Sequence, residues 1–118
     1  MIRIRRIYEE EQPGEGYRVF VDRLWPRGLS NDRARWDEWM KDIAPSNEIR
    51  KWFSHDPEKW ETFRSRYGEE LALKQDSLEK LKKLERKHRT ITLLYSANNM
   101  IYNNAIALRE ILESQTPG

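Results

Sequence analysis

The stretch Tyr17–Ser30 (YRVFVDRLWPRGLS) constrains the fold more than any other part of the chain. Val19, Phe20 and Val21 are apolar without alternation, the pattern of a central strand covered on both faces. Such strands are typical of parallel sheets packed between other layers. The run stops at Asp22, and Arg23, Trp25, Pro26, Arg27 and Gly28 follow. One carboxylate, two guanidinia and an indole therefore leave the core together at a strand end. That is where open α/β sheets place their ligands.

The remaining segments fit the same architecture. Thr90–Tyr95 (TITLLY) is β-branched and apolar and predicts a second central strand. Ile2–Tyr8 alternates briefly and reads as a short strand with one wet side. The first central strand spans Tyr17–Leu24, after a turn over Gln12–Gly16. Pro26 moves Trp25 out of the helical region and Gly28 permits positive φ, so Trp25–Ser30 reads as a loop. Ser30 or Asn31 is positioned to cap a helix to about Lys41 with Trp36, Trp39 and Met40 on one face. Ala44-Pro45 ends it. Ser46 caps a short helix carrying Ile49, Trp52 and Phe53. Asp56 followed by Pro57 restarts the chain into a helix with Trp60, Phe63, Tyr67 and Leu71 on one stripe. Asp76 with Glu79 reads as a capping box before Leu78, Leu81 and Leu84. After a polar loop over Ser96–Met100, Ile101, Ala105, Leu108 and Leu112 mark a closing helix, and Ser114–Gly118 reads as frayed. The expectation is one α/β domain over 1–118: a small, mainly parallel sheet flanked by helices, three-layer-like, its two central strands parallel neighbours whose loops meet at one end.

Composition bounds what that domain does. A chain of 118 residues buries roughly two-thirds of its unfolded surface, enough for a core. Charged residues make up 36% and apolar ones only 37%, but five Trp, five Tyr and three Phe supply the bulk a core needs. The net charge of +2 gives no whole-molecule attraction to nucleic acid or membrane, so any basic patch is local. Without cysteine there is no disulfide, thiolate or Cys-based metal chemistry. No apolar run approaches the ~18 residues of a membrane span and no signal-peptide pattern occurs, so the sequence predicts a cytoplasmic protein.

Four ordered motifs resemble the YeaO-like family of bacterial proteins: VDRLWPRG at 21–28, WDEWMKDIAPS at 36–46, IRKWFSHDPEKWETFRSRY at 49–67 and TLLYSA at 92–97. The resemblance covers nearly the whole chain. It implies a small α/β domain and implies no particular activity. Family members usually read LLYAARD, two variable positions and then HNHA. Here Asn99 stands for the acid, Tyr102 and Asn104 for the two histidines, and Asn103 is retained. Neither Tyr102 nor Asn104 replaces an imidazole as a proton shuttle near neutral pH.

The candidate site follows from residue chemistry. Arg23 and Arg27 suit bidentate recognition of a phosphate or carboxylate, with Asp22 orienting one of them or serving as a base. The alternative is an Asp–Arg pair that only holds the loop. Trp25, beside Pro26, is placed to line a pocket, whereas Trp36, Trp39, Trp52 and Trp60 fall on helical stripes and read as core. Tyr95, Ser96, Asn99 and Asn103 follow the second strand and supply hydrogen bonds to a polar ligand or cap a helix. His55 precedes an N-cap and is a second catalytic candidate beside Asp22, in reach of Arg50 and Ser46. His88 and the basic run Lys80–Arg89 read as a solvated helix face, so nucleic acid is not the expected partner. No metal motif or Gly-rich phosphate loop occurs. The leading reading is a domain binding a small anion, with or without catalysis. The runner-up is a nucleic-acid-binding or regulatory module using Arg and Trp surfaces. Cofactor, reaction and oligomeric state are not legible.

Overall fold

A computed structural model describes residues 1–54 and 56–115. Strands β1 (Ile2–Arg6), β2 (Tyr17–Phe20), β3 (Glu38–Trp39) and β4 (Ile91–Tyr95) form one sheet, every adjacent pair parallel, in the order β1-β4-β2-β3. The two apolar runs are thus neighbours at the centre. All five residues of β4 are buried, as are Arg18, Val19 and Phe20 of β2. The ladder continues one residue past β2, where Val21 N–H donates to Leu94 O at 3.0 Å.

Strand alternation sorts the side chains onto two faces. Ile2 and Ile4 of β1, Val19 and Val21, and Ile91, Leu93 and Tyr95 face the helices. These helices are α1 (Asn47–Phe53), α2 (Trp60–Ala72), α3 (Gln75–His88) and α4 (Asn104–Ser114), and all four bury their stripes in this single cluster. On the opposite face Phe20, Leu94 and Ile7 are covered by Leu29, Trp36 and Trp39. The third layer is therefore a tryptophan-bearing loop between β2 and β3, not a helix.

Several caps form as the residues predict. Ser46 accepts from Ile49 N–H at 3.3 Å at the start of α1. Asp56 accepts from Glu58 N–H at 3.0 Å, with Pro57 at the first position of a 3-10 turn leading into α2. Trp60, Phe63, Tyr67 and Leu71 are all buried on α2.

Three expectations are corrected. There is no helix from Ser30 to Lys41: a 3-10 turn over Asn31–Arg33 gives way to β3. The open edge of β2 wins this segment, because Asp37 N–H donates to Arg18 O at 2.8 Å and Met40 N–H to Phe20 O at 2.9 Å. Trp36 stacks on Phe20 at 4.8 Å, and both Trp36 and Trp39 stay half-buried rather than entering a helical core. Asp76 does not cap α3, whose capping position is Lys74; Asp76 lies in the first turn, where its charge still favours the helix dipole. Finally, α4 begins at Asn104 rather than Ile101, which is exposed. Asn99 Oδ1 accepts from the N–H groups of both Ile101 and Tyr102 at 2.8 Å, holding 99–102 in a turn.

Candidate functional site

The loops after β2 and β4 meet at the carboxyl end of the sheet, because β2 and β4 are parallel neighbours. From there the chain diverges: the segment after β2 runs toward edge strand β3, while α4 packs over β4 and β1. Asp22 joins the two loops. Its Oδ2 accepts from Ser96 N–H at 3.0 Å and also from the Ser96 hydroxyl. Its Oδ1 accepts from Asn104 Nδ2 at 3.1 Å, and the same amide donates to Val21 O at 3.1 Å. The carboxylate is thus a tie between β2, the Ser96 loop and the start of α4.

The arginines diverge from that tie. Arg23 Nε donates to Pro45 O and its Nη2 to Ala44 O, each at 3.2 Å. These carbonyls belong to buried residues just before α1. Arg27 lies on the side of β1, where the Tyr8 hydroxyl donates to its carbonyl at 2.8 Å. Its guanidinium is exposed and has no hydrogen bond or ion pair among the described residues. Trp25 is 40% exposed; its indole N–H donates to Leu29 O at 2.6 Å, and its ring meets Trp36 and Trp39 edge-on at 5.2 and 5.7 Å.

A third guanidinium, which the strand pattern alone did not mark, also reaches this end. Arg6 Nε donates to Ala97 O at 2.9 Å and Nη2 to Asn98 Oδ1 at 2.6 Å, and the group lies over the Tyr8 ring at 4.6 Å. Its signal was positional: Arg6 closes β1 beside β4, opposite Tyr95.

The residues after β4 hold structure. Tyr95 is buried, and burial first, then the Glu9 charge, raises its phenol above the ordinary value. Asn103 is buried and caps α4, accepting from Ile106 N–H at 3.0 Å and donating to Asn99 O at 3.0 Å. Tyr102 packs against Trp60 at 5.4 Å, on the fringe of the core. Of the two positions where the family pattern has histidine, Asn104 faces the loop end of the sheet and Tyr102 turns to the helices. His55 lies outside the described residues. His88 stacks on Tyr17 at 4.5 Å.

Three cations of the basic run are engaged. Lys80 pairs with Glu38, Lys82 donates to Gln115 at 3.2 Å, and Arg86 pairs with Glu79 at 3.3 Å. Among the described residues no group of three His, Asp or Glu is arranged to hold a metal ion, and no helix is long and apolar enough to cross a membrane.

A buried ion cluster lies on the tryptophan side of the sheet. Glu15 and Arg18 are both almost fully buried, 3.0 Å apart, and Arg5 reaches Glu15 at 2.7 Å. Arg18 also donates to Arg35 O, and its backbone N–H donates to Asp37 at 2.8 Å. One sign of it was available: Arg18 interrupts an otherwise apolar buried strand and so requires a partner.

A family model described as "Inactive DUF488-N3 subclade" matches residues 1–117. The uncharacterised protein YeaO of Escherichia coli is 41% identical over 113 residues, 96% of this chain and 97% of its own. Uncharacterised proteins of Mycobacterium bovis and Mycobacterium tuberculosis are each 38% identical over 114 residues, 97% of this chain and 95% of theirs. No solved structure matches. A full-length family match, joined to relatives near 40% identity, means that the chain belongs to the YeaO-like DUF488-N3 family.

Proposed function

We propose that this protein is a binding domain without turnover, taking a small phosphate- or carboxylate-bearing ligand at the crevice between the β2 and β4 loops. The observation that carries the reading is the closure of both loops on Asp22 by Ser96 and Asn104. Both Asp22 oxygens are engaged in ties between the loops, so the residue shapes the crevice. Arg27 offers an exposed, unengaged guanidinium on a loop whose Arg27 carbonyl accepts from the Tyr8 hydroxyl, and Arg23 holds the loop to the segment before α1 through Ala44 and Pro45. The description of the matching family as inactive agrees with binding alone, as do Asn99, Tyr102 and Asn104 standing where the family pattern has an acid and two histidines.

Thermal melts with and without inorganic phosphate test this. Phosphate at ten times its Kd stabilises the folded chain by ~1.4 kcal/mol, which raises Tm by several degrees in a domain of this size. Arg27→Ala is expected to keep the parent Tm and lose the phosphate shift. Arg23→Ala is expected to lower Tm on its own. An absent phosphate shift in the parent, or an equal shift in Arg27→Ala, overturns the assignment.

A further inference from the structure

Among the described residues no strand pairs with the outer edge of β1, and the chemistry of that edge selects a strand-like partner. Because Ile91 N–H donates to Met1 O and Ile7 N–H to Tyr95 O, odd-numbered residues of this segment bond to β4. In a parallel ladder the even-numbered residues then direct their peptide groups the other way. Arg6 is taken care of locally: its N–H donates to Glu9 Oε1 at 3.3 Å and its C=O accepts from Glu9 N–H at 3.0 Å. Ile2 and Ile4 are left with outward N–H and C=O groups and no partner strand among the described residues. Beside them runs a groove of about 370 Å³ lined by Arg3, Arg5, Gln12, Thr92 and Arg109 among others.

Charge decides the kind of occupant. Arg5 is neutralised by Glu15 and Glu9. The guanidinia of Arg3 and Arg109 have no ion pair or hydrogen bond among the described residues. They also flank the edge from opposite sides: Arg3 projects from the face away from the helices, where it approaches Gly14, and Arg109 comes from α4 on the helical face. A strand laid on this edge alternates its side chains between the two faces, so adjacent acidic residues meet one guanidinium each. A simple inorganic anion fits less well, since the outward carbonyls of Ile2 and Ile4 repel it while a peptide's N–H groups satisfy them. A second copy of the same edge is disfavoured, because it brings arginines against arginines.

We propose that the β1 edge is a docking site for an extended acidic segment of another protein, bound by strand addition, with Arg3 and Arg109 reading paired carboxylates. The site is separate from the crevice at the strand ends and does not depend on that reading.

The probe is a fluorescein-labelled eight-residue peptide, two repeats of Thr-Val-Glu-Glu, titrated by anisotropy against the full chain. Binding is expected at low salt and weakens as salt rises. The Arg3→Ala, Arg109→Ala double variant is expected to weaken it at least tenfold, with circular dichroism and Tm like the parent. N-methylation of alternate amides separates strand addition from plain charge attraction. One alternate set abolishes binding, because those N–H groups face Ile2 and Ile4, and the other set leaves it within about threefold. Equal binding of both N-methylated peptides, unchanged binding by the double variant, or no binding by the parent overturns the proposal. So does a dimer in sedimentation velocity whose formation excludes the peptide, which assigns the edge to self-pairing.

Discussion

Asn103 and Arg23 show how residues that look like ligand contacts serve the chain itself. Asn103 sits at 1% exposure with its side-chain oxygen on Ile106 N–H and its amide on Asn99 O. Replacing it with Ala removes an N-cap and leaves the half-buried Asn99 carbonyl without that donor, so Asn103→Ala is expected to cost about 1–2 kcal/mol in urea denaturation. Arg23 satisfies two carbonyls at the entry to α1. Charge-assisted hydrogen bonds to such groups contribute roughly 1.5–3 kcal/mol, and Arg23→Ala is expected to lose stability in that range, while Arg27→Ala stays within about 0.5 kcal/mol of the parent. Asn104 behaves likewise. It bridges Val21 O and Asp22, and Tyr102 rests on Trp60. Installing the family histidines as Tyr102→His with Asn104→His is therefore expected to lower Tm without creating a pH-dependent activity; a stable double variant with new pH-dependent turnover contradicts the binding-only reading.

At the scale of elements, β2 is placed by what surrounds it. Gly16 has φ of +67°, and a Cβ there would lie 2.0 Å from Thr90 O, the same carbonyl that accepts from Tyr17 N–H at 3.0 Å. Gly28 has φ of +77° with nothing within 4 Å of such an atom. Gly28→Ala is thus expected to cost only the left-handed strain of about 1–2 kcal/mol. Gly16→Ala must also push β2 from β4, and denaturation is expected to show a clearly larger loss. The segment carrying Trp36 and Trp39 illustrates why the sequence misleads at this scale. Their spacing of three, with Met40 beside Trp39, satisfies a helical stripe, yet an unfilled edge on β2 offers backbone hydrogen bonds at Arg18 and Phe20 that a helix cannot use. Trp39 is further fixed by its indole N–H donating to Asp22 O at 2.7 Å.

For the whole molecule, the tyrosines set an alkaline limit. Tyr67 is fully buried, its hydroxyl donating to Ile43 O at 2.6 Å, and burial, followed by the charges of Asp22 and Glu70, pushes its phenol well above the ordinary value. Tyr95 and Tyr17 are raised as well, both chiefly by burial. An unfolded chain releases these protons near pH ~10 while the folded chain keeps them, so stability falls as pH rises above that point. Lys80, raised by its hydrogen bond to Glu38, acts in the same direction. Urea midpoints measured between pH 8 and pH ~11 are expected to drop above pH ~10, and less steeply in Tyr67→Phe. The same global view bears on nucleic acid. The net charge is only +2 and the α3 cations are partly paired. Binding to short DNA and RNA is expected to be weaker than micromolar near ~0.15 M salt; a tight, steeply salt-dependent complex contradicts this.

The sequence by itself determined the two central strands, through local periodicity, and the caps at Ser46 and Asp56, through short-range hydrogen bonds. The parallel adjacency of the strands and the meeting of the Asp22 and Ser96 loops followed from the crossover rule for parallel neighbours. Only tertiary structure decided what the charged and amide groups do there. Asp22 meets Asn104 across 82 residues, Arg6 meets Ala97 across 91, and Thr92 Oγ1 donates to Glu15 O across 77. For Asp22 and Arg23 the partners that turn a candidate ligand contact into a structural tie come from distant loops and helix starts. No local pattern encodes them, because the free energy that selects them is gained only when the sheet closes.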